Sequence, residues 1–157
     1  MAVIRSALMG LVAGQRAMTP LAILAGAARR GTLPPDAFAA KLLGSPHAAA
    51  GAVALAAGEM AGDKMPSAPD RIVAVGLLAR SITGGFAGAV LAPADRRAAG
   101  ALLGAVTAVA SSFAGFHARV AAMRRFGQAS TGFAEDAIVL AGASAIVNNE
   151  RLALGRD

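Results

Sequence analysis

At 157 residues, with 56% hydrophobic and only 15% charged, the chain is more apolar than an ordinary soluble domain, in which about a quarter of residues are charged. It contains no Cys, Trp or Tyr, which excludes disulfides, thiolate metal sites and cysteine nucleophiles. The net charge of +6 does not indicate nucleic acid, because the basic residues are scattered in short groups with no aromatics interleaved to stack bases.

In chain order, the first apolar segment covers residues 3–28 and carries Arg16 and Pro20 within it. Its start has the Arg5 and apolar stretch of a signal peptide. However, Gln15, Arg16 and Pro20 break the apolar core that a signal peptide keeps continuous, so the segment is read as part of the mature protein. Residues 36–44, DAFAAKLLG, follow Pro34-Pro35 and are too short to cross a bilayer, at about 13 Å as a helix. They predict an interfacial or re-entrant element. Ser45 and Pro46 supply an N-cap and a first-turn proline for a helix over 46–64, about 28 Å long and enough to span. Met65 and Pro66 are expected to end it.

Residues 70–94 are long enough to span and hold Arg80 near their middle. Residues 98–116, AAGALLGAVTAVASSFAGF, form the cleanest apolar run. The last candidate runs from Thr131 to Asn148, where NNER returns the chain to water. Together these segments predict an all-α, polytopic membrane helix bundle of about five spans, a single transmembrane domain over 1–157, with interrupted helices near Arg16 and Arg80. The competing reading is an alanine-rich soluble bundle. A soluble helix needs a polar face, and 98–116 offers only Thr107, Ser111 and Ser112.

Small residues let membrane helices approach closely. GxxxG spacing occurs at Gly10/Gly14, Gly58/Gly62, Gly84/Gly88 and Gly100/Gly104, which predicts a tightly packed bundle and favours a homodimer.

Ionisable groups inside spans are costly and mark functional or paired positions. In a five-span arrangement Glu59 lies near the end of the second span and Asp63 one turn later on the same face. Glu135 and Asp136 lie about one turn into the fifth span, at the same side of the membrane. Lys64 adjoins Asp63 but points about 100° away around a helix, and is placed at the interface. Arg16 and Arg80 need counter-ions. Either they neutralise Glu59 and Glu135 and hold the bundle together, or the same groups line a polar path.

RAMTP at 16–20 echoes RSITG at 80–84, each inside a long apolar segment, the pattern of interrupted helices at a transporter site. The candidate substrate- or ion-binding residues are therefore Arg16, Thr19, Glu59, Asp63, Arg80, Thr83, Glu135 and Asp136. His47 and His117 lack partners at ligand spacing and are read as capping or interfacial. No phosphate loop, nucleophile elbow or HExxH occurs, so no catalytic residue, cofactor or metal is assigned.

GLVAGQRAMTPLA at 10–22, GEMAGDKMPSAPDR at 58–71, the stretch 80–88 and the Glu135-Asp136 pair resemble the small bacterial membrane proteins grouped as domain of unknown function 4126. The resemblance extends over nearly the whole chain. It implies a multi-pass protein of the bacterial inner membrane and brings no established activity. The absence of Trp and Tyr departs from the family pattern and bears on interfacial anchoring.

Three functional classes follow from these readings. The first is a transporter or channel for an ion or small charged solute. The second is a lipid-phosphate-binding translocase or membrane enzyme, and the third a scaffold without substrate. In the five-span arrangement Arg5 falls on the side of Lys64 and Arg119, opposite Arg29, Arg30, Arg96 and Arg97. The positive charge is then nearly even, leaving orientation undetermined.

Overall fold

The computed structural model describes residues 3–34, 36–65 and 72–149. Pro66, Arg71, Arg151 and Arg156 lie outside the described residues. Among those described, every regular element is helical. The seven α-helices are α1 (Ile4–Gln15), α2 (Thr19–Arg30), α3 (Ala40–Leu43), α4 (Pro46–Gly62), α5 (Ala74–Leu91), α6 (Arg97–Phe126) and α7 (Gln128–Asn148).

The first apolar segment is two helices because of Pro20. A proline inside a helix clashes with the carbonyl four residues before it, here that of Arg16. Arg16 accordingly leaves the helix in an extended conformation (φ −142°, ψ 110°), and α2 restarts at Thr19 with Pro20 in its first turn, where a missing N–H costs nothing. The RSITG segment has Gly84 in place of proline and keeps every N–H. The interruption expected near Arg80 is therefore absent, and α5 runs unbroken from Ala74 to Leu91.

Instead of crossing as one span, α1 and α2 double back. Near the start of α1, Ser6 Oγ donates to the carbonyl of Gly88 (2.7 Å), and beyond α2 the Asp36 carboxylate accepts from Ala94 N–H (2.9 Å). Both ends of the pair thus return to the α5–α6 turn. Arg5 sits at that end too, donating from Nε and Nη2 to the carbonyls of Ile146 and Val147 (both 3.1 Å) at the end of α7. The side assignment of Arg5 is therefore corrected: it shares its end with Arg97 rather than with Lys64. Within 36–44 only Ala40–Leu43 is helical, a single turn against α2.

The α4 N-terminus forms as its residues dictate, with Ser45 Oγ accepting from Ala48 N–H (3.2 Å) and Pro46 at the first position. At 17 residues α4 is about 25 Å long. Three stretches, Ala74–Leu91, Ala94–Phe126 and Gln128–Asn148, are long and apolar enough to cross a membrane.

Polarity is inverted relative to a soluble bundle. Val75, Ile82, Leu102 and Ile138 point outward at 62–79% exposure, whereas Arg5, Ser6, Arg16, Thr19 and Ser112 are buried. Packing inside relies on small residues. A Cβ added to Gly88 would lie 2.2 Å from the carbonyl oxygen of Gly100, one on Gly104 would lie 2.1 Å from that of Gly84, and one on Gly10 would lie 2.4 Å from that of Gly104. Three of the four GxxxG pairs therefore meet where α1, α5 and α6 touch. At Gly58 and Gly62 an added Cβ meets nothing within 4 Å.

These spacings make a direct comparison possible. Gly104→Ala should force the helices apart and cost about 1–3 kcal/mol. Gly142→Ala, where an added Cβ has open space, should be neutral or slightly stabilising because Ala is the better helix former. Thermal unfolding of the two variants in detergent measures the difference, and equal midpoints would contradict the close α5–α6 approach.

Candidate functional site

The break between α1 and α2 exposes backbone donors that no helix satisfies. Glu59, three residues from the end of α4, meets them. Its Oε1 accepts from Ala17 N–H (2.7 Å) and its Oε2 from Met18 N–H (2.8 Å). The carboxylate also sits at the positive end of α2, where a negative group is favoured. Both Glu59 oxygens are thus held by amides, and the expected Glu59–Arg80 pairing is not the one made.

Arg16, extended at the break and 1% exposed, reaches from α1 to α4 and α7. Its Nε donates to Asp136 Oδ1 (2.7 Å) and its Nη1 to Asp63 Oδ2. Nη2 lies 2.7 Å from the same Asp136 oxygen and 3.9 Å from Glu135 Oε2. It makes no well-directed hydrogen bond there, so this contact is electrostatic. On the far side Arg119 of α6 donates from Nη1 to Asp63 Oδ2 and to Glu135 Oε2 (2.9 Å), and from Nη2 to the Asp63 carbonyl (3.0 Å). Lys64 Nζ donates to the second Asp136 oxygen and to the Met60 carbonyl (2.8 Å), with the Phe133 ring 4.6 Å away. Among the described residues, Arg16, Lys64 and Arg119 therefore interlock with Asp63, Glu135 and Asp136.

The structure brings together Arg16, Glu59, Asp63, Glu135 and Asp136 from the candidates in the sequence. Thr19 is fully buried in the first turn of α2, and its hydroxyl has no hydrogen-bond partner. Arg80 and Thr83 are buried in α5, where the Thr83 hydroxyl donates back to its own helix at Ala79 O (3.0 Å). Two members of the network went unrecognised. Lys64 lies beyond the last helical residue, Gly62, so helical angles do not apply, and its side chain curls back over the end of α4. Arg119 is exactly as far before Gly127 as Glu135 is after it. Reading Gly127, at φ 79°, as the pivot of a helical hairpin would have paired them.

Among the described residues no group of three or more His, Asp or Glu side chains is arranged to hold a metal ion. The network carboxylates are instead engaged by cationic side chains.

Among the described residues, the regular elements are all helical, three helices are apolar and of spanning length, lipophilic residues lie outside and an ion network lies within, which defines a helical membrane protein. It belongs to the family described as a domain of unknown function (DUF4126), whose profile matches residues 4–154. No curated protein and no solved structure matches the chain significantly.

Two measurements probe the network. Removing one partner of a buried pair leaves an uncompensated charge, so Arg119→Gln should cost about 3–5 kcal/mol. Lys64→Gln and Asp136→Asn, combined in a double-mutant cycle, should show a coupling of about 0.5–3 kcal/mol. Strict additivity in detergent unfolding would remove Lys64 from the network.

Proposed function

We propose that this protein is a small inner-membrane transporter or channel for an ion or small charged solute, with its site at the α1–α2 break. The observation that carries the reading is Arg16. It is a guanidinium almost wholly withdrawn from solvent, at an unwound point between two half-length helices, held by carboxylates from α4 and α7. Discontinuous helices whose ends meet charged groups inside the membrane are the common architecture of solute and ion sites in transporters. The binding residues of this reading are Arg16, Thr19, Glu59, Asp63, Arg80, Thr83, Glu135 and Asp136, joined by Lys64 and Arg119.

A charged solute reaches this site by exchanging with one of the ion pairs. A proton or cation replaces a basic side chain on Asp63, Glu135 or Asp136, and an anion replaces a carboxylate on Arg16 or Arg119. Cationic and acidic side chains meet at the break, so charge alone does not select the solute. The reading in which Arg16 grips a lipid phosphate is less favoured, because Arg16 is buried inside the bundle, whereas a phosphate still attached to a bilayer lipid presents at its surface.

In this reading α4, α5, α6 and α7 cross the bilayer and α1–α2 enters as a hairpin from one side. A second copy packs on the outer face of α4, where Gly58 and Gly62 stand open. The native chain contains no cysteine, so topology is directly testable. Single-cysteine variants Val3→Cys and Thr32→Cys should label from the same side of intact cells, and Gly127→Cys from the opposite side. Opposite labelling of Val3→Cys and Thr32→Cys would mean that the first segment crosses after all.

Transport itself is tested by reconstitution. Proteoliposomes should pass protons or at least one of a panel of monovalent ions and small carboxylates, and Arg16→Gln should lower the flux at least tenfold. No flux for any solute would leave the scaffold reading standing.

A further inference from the structure

Beside the ion network, and sharing Arg119 and Glu135 with it, α6 and α7 leave a groove between them that opens to the outside of the bundle. The helices are joined by one residue, Gly127, and diverge from it, with the C-terminal end of α1 as the floor at Gln15. The groove encloses about 780 Å³ and its walls are mostly apolar, Ala118, Ala122 and Phe126 from α6 facing Ala134, Ile138 and Val139 from α7, with the Arg119–Glu135 ion pair also in the lining. A second compartment of about 510 Å³ continues it along α1 past Val12.

We propose that this groove holds one acyl chain of an anionic phospholipid, with the phosphate at Arg125. Three observations identify the occupant. The α6 wall of the main compartment, from Ala114 to Phe126, is about 18 Å long, close to the roughly 15 Å depth of one leaflet of hydrocarbon. The wedge narrows to a one-residue turn, which admits a chain of methylenes but not a helix from a second copy, about 10 Å across. At the closed end the polarity changes. Arg125 is exposed, as is Ser130 of the lining, and Arg125 follows Ala118 and Ala122 at helical spacing on the edge of the groove-facing side, whereas Arg124 falls on the opposite side of α6. A phosphate there meets the Arg125 guanidinium, while the chain runs inward between the helices.

Native mass spectrometry of the full-length protein, extracted from bacterial membranes in mild detergent, tests this. Wild type should retain one phospholipid, enriched in anionic headgroups over the membrane from which it came. Ala118→Phe with Ala134→Phe fills the groove and should lower retention at least tenfold, whereas Leu102→Phe, on the outer face of α6 at 66% exposure, should leave it unchanged. Arg125→Gln should keep a lipid bound but remove the anionic enrichment, whereas Arg124→Gln should leave it. Wild type without lipid, equal retention in the filled variant, or a second copy cross-linked through the groove overturns the proposal. If the filled variant does not fold, Arg125→Gln decides alone, and undiminished anionic enrichment overturns it.

Discussion

The carboxylate of Glu59 on the amides of Ala17 and Met18 is the contact on which the rest of the architecture depends. Pro20 makes a helical Arg16 sterically untenable, so the chain must unwind there. Unwound backbone in a water-poor interior leaves donors that cost several kcal/mol each if unsatisfied. Glu59 meets two of them at once, with charge, at the positive end of α2. The same act fixes α4 against the break and brings Asp63, one turn further on, within reach of the Arg16 side chain. Asp136 then completes the compensation of Arg16 from α7, Lys64 that of Asp136, and Arg119 that of Glu135. Each charge is present because its neighbour would otherwise be buried alone.

A second principle holds the other half of the molecule. Apolar burial drives little association in lipid, so close backbone approach and interhelical hydrogen bonds take its place. α1 is threaded onto its neighbours in this way. Ser6 donates to Gly88 O on α5, and from α6 Thr107 donates to Ala7 O, Ser111 to Leu11 O and Ser112 to Gly14 O. The acceptors Ala7, Leu11 and Gly14 repeat at one-turn intervals along α1, beside Gly10 and Gly14, which let the helices come near. The three polar residues in the otherwise apolar run 98–116 are therefore a seam toward α1 rather than a solvent face.

What was legible in the sequence divides along physical lines. Helix positions from Ser45 onward could be read because capping residues and long apolar runs are local signals. The carboxylate cluster could be read because four acidic groups at matching depths in apolar segments have few alternatives. The direction of α2 could not. Pro20 announces a break, but whether the chain continues or reverses depends on contacts such as Asp36 with Ala94, 58 positions apart. RAMTP and RSITG look alike by residue class, yet one breaks and the other does not, because only proline both lacks an N–H and strikes the preceding turn. Lys64 was misplaced by extending helical geometry past the last helical residue. Arg119 was overlooked because a basic residue after an apolar run looks like an ordinary flanking charge.

Arg119 and Glu135 belong to two features at once. They close the outer side of the ion network and also line the α6–α7 groove. These two helices are joined at Gly127 and bridged by the Arg119–Glu135 pair, and α7 carries both Glu135 and Asp136, the acidic partners of Arg119, Lys64 and Arg16. Any change in the spacing of α6 and α7 therefore alters the Arg119–Glu135 separation directly, and through Asp136 the compensation of Arg16. A 3.9 Å contact between Arg16 and Glu135 already marks the place where partners can exchange. Within the proposed reading, an occupied groove fixes the helix spacing and with it the pairing at the break. The lipid surface and the buried site are then coupled through the Arg119–Glu135 pair.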